Sequence, residues 1–166
     1  MLLRPVYFSI PSMNQAHIHL IVNHVPIVGS LFAFVLLGVG LLQKNSSLIR
    51  AGLVAVLAAG LLCLPAQLTG EGAAKVVQDL PRVSRALIQN HEAAAEQGFW
   101  VLEGAAGLAL FSLLLLKNAS PRAQLLSGLT LVVTALSFGL LARAGSLGGQ
   151  IVHTEIREGF GTPDEL

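Results

Sequence analysis

The chain has 166 residues, of which 54% are hydrophobic and only 11% are charged, and its mean hydropathy is +0.72. Because a soluble domain carries about 25% charged residues, this composition excludes a soluble globule and a disordered chain, and it predicts an integral membrane protein surrounded by the lipid bilayer. The single cysteine excludes an internal disulfide framework, and the formal net charge of +1 gives no reason to expect nucleic acid as a partner.

Four long charge-free intervals organise the chain. They lie between Arg4 and Lys44, between Arg50 and Glu71, between Glu103 and Lys117, and between Arg122 and Arg143. Because a helix needs about 20 apolar residues to cross the hydrocarbon core, we predict spans over residues 20–42, 49–68, 98–116 and 123–142. These runs are apolar on every side and lack the alternation of a transmembrane β-strand. The sequence therefore predicts an all-α, integral membrane four-helix bundle within residues 18–157.

The connections between the spans differ in charge. The short segments 43–50 and 117–122 carry four basic residues and no acid, so the positive-inside rule assigns them to the cytoplasm. The segments predicted on the outer, periplasmic side of the bacterial cytoplasmic (inner) membrane are an extended arm over 1–17, a loop over 69–97 and a tail over 158–166. Both termini are therefore expected outside. Within the loop, residues 82–97 are strong helix formers, so the third helix is expected to begin before the membrane.

Two prolines lie near the outer ends of the first two spans. Pro26 leaves the carbonyl of Val22 without its helical donor, and Pro65 does the same to Leu61. Freed carbonyls in lipid need other partners, and helices bend where the hydrogen-bond ladder is interrupted. We expect these bends to open a polar-lined recess at the outer end of the bundle.

All five histidines fall in the outer half of the predicted topology. His17, His19 and His24 open the first span, His91 precedes the third, and His153 follows the fourth. Several acids accompany them, namely Glu71, Glu92, Glu96, Glu103 and Glu155. Ionisable groups at this depth are costly and normally face the bundle interior in pairs. Glu103 and Arg143 lie at comparable depth and are expected to neutralise each other.

Two histidines that face each other across an apolar slot can supply the axial ligands of a haem b. His24 lies inside the first span and is the preferred ligand, with His91 as its preferred opponent and His153 as the alternative. Haem propionates need cations, which Arg85 and Arg143 could provide together with other outer arginines. The sequence thus favours a small cytochrome-b-like protein that transfers electrons, rather than a stand-alone enzyme.

Two alternatives to haem binding remain open, one of which uses the same histidines and acids. A transition-metal ion (Cu, Zn or Fe) or a quinone headgroup would use histidine and carboxylate side chains. The candidate metal ligands are His24, His91, His19, His153, Glu92 and Glu71. Alternatively, the chain is a non-catalytic subunit of a larger membrane complex, in which the polar cluster is purely structural.

Four motifs carry a resemblance to a known family. They are HLIVNHVPI at 19–27, LTGE at 68–71, HE at 91–92 and GGQIVHTEI at 148–156. With these motifs the chain resembles, from about residue 17 to 157, the bacterial four-span membrane family catalogued as domain of unknown function 2231. The resemblance implies a four-helix bundle and, in some relatives, an association with c-type cytochrome or iron–sulfur modules. It thereby favours electron transfer with a membrane or periplasmic redox protein as partner.

Overall fold

The computed structural model describes residues 13–118 and 120–160. Its α-helices are α1 (Gln15–Val22), α2 (Val25–Leu42), α3 (Ser46–Val77), α4 (Arg85–Lys117) and α5 (Ala123–Val152), and a 3-10 turn follows over Thr154–Ile156. Four helical segments are long and apolar enough to cross a membrane, with α1 and α2 together forming the first. The described part of the chain is therefore helical with four candidate spans, as the sequence predicts.

The long helices form a closed up-and-down bundle. α2 packs against α3 and α5, α3 packs against α4, and α4 packs against α5. Short connections join α2 to α3 and α4 to α5, so both lie at one end, which we call the turn end. The opposite end holds α1, the 78–84 connection and the last residues of α5, and we call it the histidine end. α1 packs on α3 there.

Small and aliphatic residues fill the core, while large apolar side chains cover the outside. In the half of the bundle nearer the turn end, the core consists of Ala33, Leu37, Leu53, Val56, Ala105 and Ala109. Phe32, Phe111 and Leu125 are more than half exposed, as expected of side chains that face lipid. α2 and α3 approach so closely that a Cβ at Gly52 would lie 2.6 Å from Leu37 Cα.

Three helices extend beyond the predicted spans at the histidine end. α3 runs through 69–77 and α4 begins at Arg85, so the predicted outer loop 69–97 contains only the 78–84 connection without helix. The helix over 85–97 agrees with the expectation that the third helix begins before the membrane, and α3 shows that a helix can continue past the point where charges begin. Glu71 and Lys75 form an i,i+4 ion pair of 2.6 Å that suits a water-exposed helix. α5 likewise continues to Val152.

The first span is broken at residues 23–24, close to the predicted bend. Pro26 occupies the first turn of α2, and His24 is the residue that precedes this helix. Asn14 caps α1 by accepting a hydrogen bond of 2.9 Å from the backbone N–H of His17. Residues 15–17, predicted as part of the extended arm, therefore belong to α1. The rest of the arm up to residue 12 and the tail from 161 lie outside the described residues.

Candidate cofactor site

His19 of α1 and His91 of α4 face each other at the histidine end. Their ring centres are 6.3 Å apart, and their planes are nearly perpendicular, at 84°. Both side chains are partly buried. The two rings belong to helices far apart in the sequence, and they are brought together because α1 packs on α3 while α3 packs on α4.

The His19 ring is fixed by the backbone of α3. Its Nδ1 lies 3.1 Å from the carbonyl oxygen of Ala66 and 3.1 Å from Thr69 Oγ1. Thr69 in turn donates its hydroxyl hydrogen to the carbonyl of Pro65 at 2.8 Å. A carbonyl oxygen can only accept, so His19 Nδ1 carries the hydrogen and donates it to Ala66.

The His91 ring is fixed in the same manner by α5. Its Nδ1 lies 2.8 Å from the carbonyl oxygen of Ala144, and it must donate for the same reason. The ring occupies the space beside Gly148, where a Cβ would lie 3.1 Å from both Cε1 and Nδ1 of His91. Glycine at position 148 is therefore what allows the ring to lie against α5.

The two hydrogen bonds decide which nitrogen is free to bind. A neutral imidazole that donates from Nδ1 has its lone pair on Nε2. A second nitrogen held by a backbone carbonyl is the usual arrangement of a metal-ligating histidine, because it sets the tautomer and the ring orientation. In both rings Nε2 is therefore the nitrogen that is free to bind a metal ion.

His24, the preferred ligand in the sequence analysis, is placed differently. It is exposed at the break between α1 and α2 and lines a surface groove of about 440 Å³ with Val25, Val28, Gly29 and Phe32. The hydrogen bonds and ring contacts of His91 go to α1 and α5, and none of them joins His91 to His24.

The remaining predicted site residues lie near the surface. His153 is exposed, and its Nδ1 lies 2.8 Å from a carboxylate oxygen of Glu155. Hydrogen bonds from the backbone N–H of Glu155 and from His153 lower the pKa of the Glu155 carboxyl. Glu71 pairs with Lys75, Arg85 lies 3.5 Å from Asp79, and Glu92 and Arg143 are exposed.

Two expected groupings are not formed. Residues 13–118 and 120–160 contain no group of three or more His, Cys, Asp or Glu side chains arranged to hold a metal ion. Glu103 and Arg143, both described, do not form the expected ion pair: one Glu103 oxygen is buried without a hydrogen-bond partner, while Arg143 is exposed. Glu103 faces α3 instead, where its carboxyl group lies beside Gly60.

The sequence predicted His19 only as a metal ligand, and nothing in it pointed to Ala66, Thr69 or Ala144 as parts of the site. Backbone carbonyls leave no signature in a sequence. The glycine at position 148 is visible in the sequence. Only the structure shows that it leaves space for the His91 ring. Comparison of the chain with protein-family models, with curated proteins and with solved structures found no match, so the resemblance described above stays a prediction.

Proposed function

We propose that this protein is a small cytochrome-b-like electron-transfer protein of the bacterial inner membrane that binds one haem b through His19 and His91. The observation that carries the proposal is the pairing of these two rings, each held at Nδ1 by a carbonyl of a neighbouring helix. His19 takes the role that the sequence analysis gave to His24.

The rings of His19 and His91 lie close enough for both to bind one metal ion. A metal–imidazole bond is about 2 Å long and the ring centre lies roughly 1 Å further, so two opposed imidazoles have centres roughly 6 Å apart. The measured separation is 6.3 Å. Two imidazoles in a tetrahedral site would have closer ring centres, because their bonds meet at a smaller angle.

The number of ligands also favours haem over a bare metal ion. Zinc and related ions bound directly by a protein take three or four side chains, and the described residues offer no such group. Haem iron needs only two, since the porphyrin supplies the other four. Arg143 is exposed beside Ala144, whose carbonyl holds His91, and is available for a propionate.

The protein and the cofactor have separate tasks in this proposal. His19 and His91 would hold the haem near the membrane surface, and the haem would supply the one-electron chemistry when bound. The ring orientations are fixed in advance by Ala66 and Ala144, so cofactor binding does not have to order them. A periplasmic or membrane redox protein is the expected electron partner.

The absorption spectrum of the purified protein tests the proposal. We expect a Soret band and a pyridine haemochrome of haem b, both lost or strongly reduced in His19→Ala and in His91→Ala. His17→Ala and His24→Ala are the matched controls, since both histidines are exposed, and should keep full haem content. A colourless protein that takes up no added haem would overturn the proposal, and so would haem loss in His24→Ala with retention in His19→Ala.

The groove beside His24 supports a second proposal, namely that the protein also binds a quinone there. Its lining is apolar apart from the histidine, and Val28 and Phe32 are more than half exposed, so an isoprenoid tail could lie along them with a headgroup carbonyl accepting from His24. A photoreactive short-chain quinone should label this groove in the native protein and much less in His24→Ala, with unchanged haem content. Equal labelling of both proteins would contradict this assignment.

A further inference from the structure

The carboxyl group of Glu103 lies within the apolar part of the bundle. Glu103 follows Trp100 by three residues on α4, which corresponds to about 4.5 Å along the helix axis, and it precedes Lys117 by about 21 Å. Trp100 is 65% exposed and has the position of an aromatic residue at the membrane interface. The carboxyl group therefore lies about one turn below the interface at the histidine end.

The surroundings of this carboxyl group offer no charge to balance it. Its two oxygens would lie 3.6 and 3.7 Å from a Cβ at Gly60, so the carboxyl group lies beside the backbone of α3. Oε1 is buried and has no hydrogen-bond partner. The titratable Cys63 of α3 lies near enough to feel its charge, and no salt bridge of the described residues includes Glu103.

Protonation is the state that such a site favours. An ionised carboxylate without a partner in a low-dielectric region costs several kcal/mol, and a buried group normally avoids this cost by becoming neutral. Carboxyl groups that proteins retain inside the membrane despite this cost commonly bind and release protons.

The site is also open to a molecule that arrives from the lipid. Glu103 is only partly buried. Gly107 lies one turn below it on the same face of α4, and a Cβ there would meet nothing within 4 Å. The surface of α4 beside the carboxyl group is therefore open at Gly107.

We infer that Glu103 is a proton-binding site within the membrane: a carboxyl group that is protonated at neutral pH and reached from the lipid past the open surface of α4 at Gly107. The inference does not depend on haem binding. Its chemical signature is reaction with a lipid-soluble carbodiimide. The carboxyl oxygen adds to the central carbon of the reagent while the carboxyl proton moves to one of its nitrogens. The acyl group then shifts to nitrogen, which gives a stable N-acylurea with no leaving group.

The experiment uses the full chain in membranes, treated with dicyclohexylcarbodiimide and analysed by peptide mass spectrometry. We expect the adduct on Glu103, its decrease as the pH is raised, and its loss in Glu103→Gln. Glu96 is the matched control, because it is exposed on the same helix and should react with a water-soluble carbodiimide instead. Failure to label Glu103 at neutral pH would overturn the inference.

Infrared difference spectroscopy gives a second measurement that needs no reagent. The native protein at pH 7 should show the carbonyl band of a protonated carboxyl group, and Glu103→Gln, which preserves the shape of the side chain, should lose it. A carboxylate band at pH 7 that disappears in Glu103→Gln would show an ionised Glu103 and would overturn the inference whatever the labelling result.

Discussion

Gly148 of α5 lies directly against the ring of His91, and a Cβ at this position would come within 3.1 Å of the ring atoms Cε1 and Nδ1. The same ring is held by Ala144, one turn earlier on α5, through a hydrogen bond of 2.8 Å. One helix thus supplies both the partner that orients His91 and the free space that admits it.

Gly148→Ala should therefore weaken cofactor binding without unfolding the bundle. The added methyl group displaces the ring and lengthens its bond to Ala144, and a hydrogen bond of this kind contributes about 0.5–1.5 kcal/mol. We expect haem affinity to fall about two- to tenfold, measured by haem titration of the apoprotein.

Gly139→Ala is the matched control on the same helix, since a Cβ there would meet nothing within 4 Å. It should bind haem like the native protein. Equal affinity of the Gly148→Ala protein would show that the present position of the His91 ring is not needed for binding.

The sequence predicted the bundle and the end at which the histidines gather, but it did not predict which histidines meet. Helix phase explains the error. Residues five positions apart in a continuous helix differ by about 140° around the axis, so an inward-facing His24 would direct His19 elsewhere. The break at residues 23–24 makes α1 and α2 separate helices, so the direction of His19 is independent of that of His24. His19 points toward Ala66 and Thr69 of α3.

The predicted spans are shorter than the helices that contain them. Charge distribution indicates where a chain leaves the hydrocarbon region, whereas hydrogen bonding along the backbone determines where a helix ends. The expected ion pair of Glu103 and Arg143 does not form, because two residues at the same depth in the bundle can lie on sides of their helices that do not face each other. Rotation of each helix about its axis is set by close contacts such as Gly98 of α4 against Leu141 of α5, which a single sequence does not reveal.

Gly52→Ala should destabilise the bundle strongly. A Cβ at Gly52 would lie 2.6 Å from Leu37 Cα and 2.7 Å from its backbone nitrogen, so two helix backbones must move apart. Overpacking of this kind costs about 1–3 kcal/mol. The measurement is the unfolding free energy in mixed micelles with increasing denaturing detergent.

Gly104→Ala is the control for this substitution, because a Cβ at Gly104 would meet nothing within 4 Å. Its unfolding free energy should equal that of the native protein or exceed it slightly, since alanine favours helix over glycine. Similar stabilities of the two variants would contradict the close contact between α2 and α3.

Asn45→Ala should shorten or fray the start of α3. The Asn45 side-chain oxygen accepts hydrogen bonds from the backbone N–H groups of Ser47, at 3.0 Å, and Leu48, at 3.2 Å. Loss of such a cap costs about 0.5–2 kcal/mol, which is measurable as reduced unfolding free energy. Ser84→Ala is the control: Ser84 precedes α4 but makes no side-chain capping bond, so its loss should have little effect.

Arg157→Lys should loosen the histidine end while leaving the transmembrane core intact. The guanidinium group donates from Nε to the carbonyl of Gln150 at 2.8 Å, and from Nη2 to the carbonyls of Ile151 and Arg82, both at 3.0 Å. It thus ties the end of α5 to the 78–84 connection. Lysine keeps the charge but cannot place donors in this fork.

We expect faster amide hydrogen exchange in 78–84 and 150–157 of the Arg157→Lys protein, with unchanged protection in the middle of α4. Arg122→Lys makes the same substitution at the exposed turn end and is the control. It should leave the amide hydrogen exchange rates of both segments unchanged. Because α5 also carries Ala144 and Gly148, loosening its end should raise the haem dissociation rate as well. Unaltered exchange in both segments would show that the fork of hydrogen bonds contributes nothing to the order of this end.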